Sequence, residues 1–270
     1  MSSTPTWTPT TRAPGSPRSR AGTAIRKRRP RMEAYFTLVR RDLEQLIGSW
    51  LLRGWVVLLA APAAFLVVVA AREDELASET LAAYVAAVLA PLSWIVISVL
   101  AGTAVSGEAG TVADSILSKS VTRSEYIWAK ITSRLVVFMT IYLSVVIPFA
   151  YLIDRYAISN DTSISGVAGG VVLVGVLFVF LTSFGIALST VFRNSQFAVV
   201  AALLTVAVSG AVLQFLGLKW MSTTAVIGGL PETFRGDTPF ADQLRVLVVF
   251  TALSLAAIVS GVWVFERRDL

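Results

Sequence analysis

The sequence predicts an all-α membrane protein with six transmembrane helices, preceded by an amphipathic helix at the membrane surface. Of its 270 residues, 55% are hydrophobic and only 15% are charged, and the mean hydropathy is +0.73. Soluble domains carry about 25% charged residues. The chain also contains six uninterrupted apolar stretches, each long enough to cross about 30 Å of hydrocarbon. Too little polar sequence remains to cover six such helices in a soluble core.

The apolar stretches predict the spans in chain order. Prolines fall inside three of them, at Pro62, Pro91 and Pro148, and membrane helices tolerate proline when neighbouring groups satisfy the freed carbonyls. The predicted spans are 51–71, 81–106, 135–153, 167–192, 197–216 and 246–265.

The basic residues predict the orientation of the chain in a cell membrane. With the amino end inside, the inner segments hold 18 Lys and Arg residues and the outer segments hold 5. When the first 31 residues are discounted as a long tail, the contrast is 10 against 5, and the side richer in Lys and Arg faces the cytoplasm. We therefore expect both termini in the cytoplasm.

Residues 1–31 form a basic segment without Asp or Glu, rich in Ser, Thr, Pro and Arg. Its prolines oppose a stable helix, so we expect a disordered cytoplasmic tail. The same composition suits an organelle transit peptide or a tether to anionic lipid, and Met32 is an alternative start of the folded protein. The six-helix domain is expected to occupy residues 32–270.

Residues 32–50 differ from the tail because apolar residues such as Val39, Leu43 and Leu46 recur at helical spacing. An amphipathic helix just before a span is expected to lie in the cytoplasmic interface of the membrane. The polar residues expected mostly on its other faces are Arg40, Arg41, Asp42, Glu44 and Gln45.

The longest loop on the expected cytoplasmic side covers residues 107–134. A short helix is expected to begin near Thr111, with Ile116 and Leu117 on its apolar face. Short helices with an exposed apolar face usually dock against something, although a plain solvated linker is the simpler alternative.

A second helix is expected at the end of this loop. Thr122 is a suitable N-cap, and Glu125 three residues later completes a capping box. Arg123 and Lys130 are seven residues apart, so we expect them on one face of that helix.

The fourth apolar stretch carries small residues at four-residue intervals, first Gly166 and Gly170, then Gly185 and Ser189. Small residues allow helix backbones to approach closely in lipid. Packing within one chain is the favoured use of this pattern, and a face between two copies is the alternative.

Several kinds of chemistry are excluded by composition. The chain has no Cys and no His, which removes thiolate nucleophiles, Cys/His zinc sites and Ser-His-Asp triads. It contains no GxxxxGK[ST] phosphate loop, so we expect no nucleotide binding of that kind. The spans also lack the buried ionisable groups that ion-coupled transporters use. What remains is a transmembrane body without its own energy source and a cytoplasmic docking loop.

The loop contains, in order, Gly107-Glu108, Gly110-Thr111, Ile116-Leu117-Ser118, Val121-Thr122-Arg123 and Lys130. This order resembles the permease subunits of type-2 ABC exporters. In that family the second span ends in Gly-Glu, followed by Gly-Thr, a Leu-Leu-Ser element, Pro-Val-Ser/Thr-Arg and a Lys that opens the third span. The chain departs from the pattern by a shorter spacing after Glu108 and by a serine, Ser120, where proline is common.

Three further segments match that family. Ala187-Leu188-Ser189, followed by Arg193, resembles its junction between the fourth and fifth spans, and residues 265–270 resemble its carboxyl end. The amphipathic segment 32–50 is similar to its elbow helix.

The resemblance implies a permease that forms a dimer with a second copy or a paralogue and is driven by two separate ABC ATPase subunits. Residues 111–120 would form a coupling helix seated in a groove of the ATPase. The chain itself would perform no bond chemistry, would need no cofactor and would bind no nucleic acid. The residues that the resemblance assigns to ATPase coupling are Glu108, Gly110, Thr111, Ile116, Leu117, Arg123 and Lys130.

Two other functions remain open from the sequence. A membrane scaffold would recruit a soluble partner through residues 107–134 without transport. A lipid-modifying enzyme would have to work with Asp, Glu and Ser alone. If the chain is a permease, its aliphatic, aromatic and hydroxyl side chains favour amphipathic or apolar cargo.

Overall fold

A computed structural model describes residues 31–108 and 122–267, which form helices joined by short connections, with no strand in these ranges. Six helices are long and apolar enough to cross a membrane, so the predicted all-α, multi-pass membrane fold is confirmed. The helices are α1 (Arg31–Gly48), α2 (Trp50–Ala70), α3 (Ala77–Tyr84), α4 (Ala90–Gly102), α5 (Arg123–Tyr156), α6 (Ile164–Val191), α7 (Ser195–Phe215), α8 (Thr223–Gly228), α9 (Leu230–Arg235) and α10 (Phe240–Arg267).

The predicted amphipathic helix is present as α1 and is separated from the first span by Ser49. The backbone of Ser49 is extended, and its hydroxyl accepts a hydrogen bond from the Leu52 N–H at 3.2 Å, which makes it the N-cap of α2. Around this junction Ile47 and Trp50 are exposed, Trp50 to 82%. Such exposure of large apolar side chains suits a helix that lies at the membrane surface.

The second span consists of α3, a π-helical turn (Val85–Leu89) and α4. Pro91 follows this turn directly. In a regular helix its ring would clash with the carbonyl of Ala87, four residues earlier, and the π-helical turn lies at that position. The proline therefore leaves the span continuous, as the sequence predicts, but widens one turn.

The third span, α5, has 34 residues and begins twelve residues before the apolar stretch that starts at Leu135. Its first turn carries the predicted capping box. The Thr122 hydroxyl accepts from the Glu125 N–H at 3.2 Å, and the Glu125 carboxylate accepts from the Thr122 N–H at 2.9 Å. The sequence predicts the helix start at Thr122 and the apolar span from Leu135 as separate elements, and the structure joins them into one helix. The charged residues between the cap and Leu135 do not end that helix, and two of them are buried against α1.

Helix α6 occupies the centre of the bundle. In an 18-residue stretch of α6 with high mean hydropathy, 56% of the residues are buried. The corresponding fraction is 17% in α7 and 22% in α2 and α10. It lies parallel to the second span, because Ser78 contacts Asp161 at one end and Ala101 lies against Gly185 at the other. The two contacts are 23 residues apart along the second span and 24 residues apart along α6 and the connection that precedes it.

The small residues of α6 are used inside the chain. A Cβ on Gly170 would overlap the Phe234 ring, and a Cβ on Gly166 would overlap the carbonyl oxygens of Thr233 and Phe234. A Cβ on Gly185 would lie 2.9 Å from that of Ala101. The contacts at these three glycines therefore agree with the within-chain packing that the sequence favours.

The connection between α7 and α10 contains structure that the sequence analysis missed. Residues 218–235, called here the hairpin segment, form a 3-10 turn (Lys219–Met221) and the two short helices α8 and α9. Helix α8 contacts the π-helical turn of the second span, which begins eight residues from the start of α3, or about 12 Å along a helix axis. The hairpin segment therefore enters the bundle. We call this end of the bundle the hairpin end and the opposite end, which carries α1, the elbow end.

Candidate functional site

Two clusters of polar side chains connect the helices, one at each end of the bundle. The elbow cluster consists of Asp42, Lys130, Ser133 and Arg134. The hairpin cluster consists of Ser78, Glu79, Asp161 and Arg235.

The elbow cluster joins α1 to the first turns of α5. Asp42 Oδ1 accepts from Lys130 Nζ at 2.6 Å, and its Oδ2 accepts from Arg134 Nη1 at 2.5 Å and from the Ser133 hydroxyl. The four residues are at most 6% exposed. A single carboxylate thus binds three donors that lie on consecutive turns of one helix, where they share a face.

The electrostatic balance of this cluster depends on Asp42. Burial acts to raise the pKa of its carboxyl, but the charges of Arg134 and Lys130, together with hydrogen bonds from Lys130 and Ser133, outweigh burial and lower the pKa below its usual 3.8. Asp42 is therefore ionised at neutral pH. Two cations and one anion share this buried site. Loss of the Asp42 charge would therefore leave Lys130 and Arg134 in a low-dielectric environment without their shared carboxylate.

Further contacts extend the elbow cluster to α4 and back along α1. Arg134 Nε donates to the carbonyl of Leu100 in α4 at 3.1 Å, and the hydroxyls of Tyr35 and Thr132 are 2.8 Å apart. These contacts join the start of α5 to the end of α4 as well as to α1.

The start of α5 also contacts the last turn of α10. Arg123 Nη1 donates to the carbonyl of Glu266 at 3.4 Å, and the rings of Tyr126 and Phe265 stack with centroids 5.8 Å apart. The predicted junction between the loop and the third span is therefore connected to three other helices.

The seven residues assigned to coupling have different outcomes. Lys130 is buried and bound to Asp42, whereas Arg123 is half-buried and contacts α10. The two residues lie in one helix, seven residues apart, as the sequence predicts, and they contact different neighbours: Lys130 contacts α1 and Arg123 contacts α10. Glu108 lies in a 3-10 turn (Ser106–Glu108) that follows α4. The remaining four, Gly110, Thr111, Ile116 and Leu117, lie outside the described residues together with the predicted coupling helix.

Sequence reasoning missed Asp42 and Arg134 as site residues. Asp42 was expected mostly on a polar face, yet it is buried because it lies between Val39 and Leu46 on the apolar side of α1. An acid at that position, facing a helix that carries Lys130 and Arg134, was the available signal.

The hairpin cluster joins two helix ends and one connection at the other end of the bundle. Arg235 Nε donates to Asp161 Oδ2 at 2.8 Å and to the Ser78 hydroxyl at 3.0 Å, and its Nη2 binds Glu79 Oε1 at 3.0 Å. Asp161 also accepts from the Ser78 N–H at 2.9 Å and from its hydroxyl at 2.6 Å. The end of α9, the start of α3 and the connection between α5 and α6 are thereby held together.

The Asp161 carboxyl has a lowered pKa for a related reason. Desolvation acts to raise it, but hydrogen bonds from the Ser78 hydroxyl, the Ser78 N–H and Arg235 stabilise the carboxylate more strongly. Unlike the elbow cluster, this one is partly solvated, since the side chains of Arg235 and Asp161 are 30% and 23% exposed.

Neither cluster has the composition of a metal site: the part of the chain that the structure describes contains no group of three or more His, Cys, Asp or Glu side chains able to hold a metal ion. Both consist of charged groups and hydroxyls that already bind one another. Such an arrangement holds helices together. Comparisons of the sequence with protein-family models and with curated proteins find no match.

Proposed function

We propose that the chain is the non-catalytic permease subunit of an ATP-driven ABC transporter, of the exporter type. It works with a second permease copy or paralogue and with two separate ATPase subunits, which bind residues 107–134. The elbow end faces the cytoplasm of the cell, as the Lys and Arg distribution favours.

The observation that carries this proposal is the elbow cluster. The residue that resembles the family's Lys at the start of the third span, Lys130, binds Asp42 of α1 at 2.6 Å. Force applied to residues 109–121 would reach α5 at its first turn, and the buried ion pairs would pass it to α1. A scaffold that only recruits a partner needs an accessible loop but no such rigid joint behind it.

The hairpin segment supports passage of a cargo through the bundle. A six-residue helix such as α8 leaves most of its terminal backbone groups without helical partners. At membrane depth such groups are tolerated only where protein or water covers them. A re-entrant segment of this kind is more consistent with a transport path than with a scaffold.

The exposed side of this region supports a second copy as the partner. In α8, Thr224, Ala225 and Gly228 are exposed, and α7 beside it is the least buried span. Lipid offers no hydrogen bonds to the end groups of α8. We therefore place the second permease copy against α7 and α8.

The test uses the full chain, purified from native membranes in mild detergent. We expect a separate subunit to co-purify, to be labelled by a photoreactive ATP analogue and to hydrolyse ATP, while this chain remains unlabelled. The double variant Ile116→Asp/Leu117→Asp is expected to lose that subunit and its ATPase activity, because an unpaired charge buried in a contact costs several kcal/mol, roughly 3–5.

The matched control is Ile158→Asp, which introduces an acid at an exposed apolar residue of the hairpin end. It is expected to retain both the subunit and the ATPase activity. If the double variant retains them too, residues 107–134 do not dock the ATPase. If a partner is retained but no ATP is bound or hydrolysed, the scaffold function is favoured instead.

A further inference from the structure

The hairpin segment is bounded by the only two glycines with a left-handed backbone among the described residues. Gly217, which precedes the segment, has φ +74°, and Gly236, which follows it, has φ +89°. No atom lies within 4 Å of the position of a Cβ on Gly217, so the chain turns there in open space. Glycine reaches such conformations without the steric cost of a side chain, and the two positions are suited to act as hinges.

The end of the hairpin segment packs into a notch in the surface of α6, which we call its seat. The Phe234 ring lies against Gly170, where any Cβ would overlap it. The carbonyl of Phe234 accepts from the Ser163 N–H at 2.9 Å. Leu230 and Thr233 of the same helix are also buried, so α9 covers the α6 surface beneath it.

A small apolar cavity of about 10 Å³ remains below this seat. Its lining includes Phe234, Tyr84, Tyr142 and Val174. Both tyrosine hydroxyls donate to backbone carbonyls, at 3.1 and 2.7 Å, and so take no part in holding the ring. Departure of the Phe234 ring would enlarge this space into an open apolar pocket between the second, third and fourth spans.

Ion pairs and hydrogen bonds of Arg235 hold α9 in its seat. Arg235 is the last residue before the Gly236 hinge, and it binds Asp161, Ser78 and Glu79. Its side chain is 30% exposed, so water can replace its partners at a modest cost, unlike those of the elbow cluster.

We propose that residues 218–235 form a hinged lid over the hairpin end, latched shut by Arg235 on Asp161 and Ser78, and that release of this latch lifts Phe234 from its notch. The lid's role as an outer gate rests on the proposed permease function. Its opening is a property of the chain alone and is tested without any ATPase subunit.

The test is a thiol-accessibility measurement on the full chain in nanodiscs. The native sequence has no cysteine, so Val174→Cys provides a single probe at a 2% exposed residue of the cavity. We expect slow reaction with a small polar thiol reagent in the otherwise unchanged chain. Arg235→Ala is expected to raise the rate by about tenfold or more, a factor equivalent to about 1.4 kcal/mol. Arg235→Lys, which keeps the charge, should give a smaller increase.

The matched control is Arg155→Ala, which removes an exposed arginine at the same end of the bundle and should leave the rate unchanged.

A reversible disulfide that holds the lid closed provides the converse test. A Cβ on Gly210 would lie 2.8 Å from Thr224 Oγ1, close enough for a disulfide in the double variant Gly210→Cys/Thr224→Cys. Formed in the Arg235→Ala background, this disulfide should return the probe to its slow rate, and reduction should restore the fast one.

Two results would overturn the proposal. One is a fast reaction of Val174→Cys in the unaltered chain, which would mean that the segment does not close the end. The other is an unchanged slow rate in both Arg235→Ala and Asp161→Asn, each checked for native helix content by circular dichroism. Asp161→Asn keeps the size of the side chain, so it decides the matter if Arg235→Ala fails to fold.

Discussion

Neutralising Asp42 should be among the most damaging single changes in this chain. Asp42→Asn preserves the size of the side chain but removes the charge that binds Lys130 and Arg134 at 2.6 and 2.5 Å. Both cations are buried to 6% exposure and would lose their shared anion. Breaking a buried ion pair by removing one partner costs about 3–5 kcal/mol. At roughly 2–4 °C per kcal/mol for a chain near this size, the melting temperature should fall by about 10 °C.

The assay is thermal melting of the purified chain in detergent, with two comparison variants. Glu44→Gln neutralises an acid of the same helix whose side chain is 64% exposed and pairs with Arg40 across a helical turn, so its effect should be close to zero. Lys130→Met leaves Asp42 bound to Arg134 and Ser133 and should cost less than Asp42→Asn. If Asp42→Asn melts within a degree or so of Glu44→Gln, the buried ion pairs do not hold α1 to α5.

The same residue gives a dependence on pH whose sign follows from its lowered pKa. A carboxyl with a folded-state pKa below its unfolded value of 3.8 stabilises the protein fully above that value, and the stabilisation is lost as the pH falls through the folded-state pKa. The melting difference between the native chain and Asp42→Asn should therefore be constant near neutral pH and should shrink in strong acid. A difference that grows with acidity would contradict the assignment.

Three further predictions address the fold and its orientation. Gly170→Ala should destabilise the chain by about 1–3 kcal/mol, because overpacking must move the Phe234 ring, whereas Gly54→Ala, with open space around its Cβ, should be neutral or stabilising in the same melting assay. Thr122→Ala should cost about 1 kcal/mol through loss of the N-cap of α5, and Thr122→Ser should restore most of it. Single cysteines at Asp237 and Asn194, both exposed and at opposite ends of the bundle, should react with an impermeant thiol reagent in intact cells only at Asp237; the reverse pattern would overturn the proposed orientation.

The spans were predictable because each depends on one property, a long apolar stretch, which the sequence displays directly. The same holds for the capping box at Thr122 and Glu125, whose two hydrogen bonds are local. The sequence did not show that the helix beginning at this capping box and the apolar stretch from Leu135 form the single helix α5. Its first turns carry Lys130 and Arg134, which appear incompatible with burial until the carboxylate of Asp42, 88 residues from Lys130, is placed beside them.

The hairpin segment was missed for a different physical reason. Its helices are too short to produce a helical hydrophobic period, and their burial depends on a notch that Gly166 and Gly170 provide from another span. The sequence does contain a signal: a short apolar run from Ala225 to Pro231, much shorter than a span and containing the paired glycines Gly228 and Gly229, cannot cross the membrane by itself. The role of Arg235, the last residue of the segment, can be recognised only from the positions of its partners Asp161 and Ser78 in the structure.

The two clusters differ in a way that assigns them different mechanical roles. At the elbow end, three donor residues share the carboxylate of Asp42, and all four residues are at most 6% exposed. Separating them would leave charges buried away from water, so α1 and α5 should move as one body. At the hairpin end, Arg235 and Asp161 retain 30% and 23% exposure, and water can take over their hydrogen bonds when they part. Glycines bound the segment at the hairpin end, whereas α5 is helical from its capping box onward. The elbow end is thus rigid where the ATPase would act, and the hairpin end is hinged where the cargo would leave. This difference is consistent with the proposed transport cycle, whereas a static scaffold would not need it.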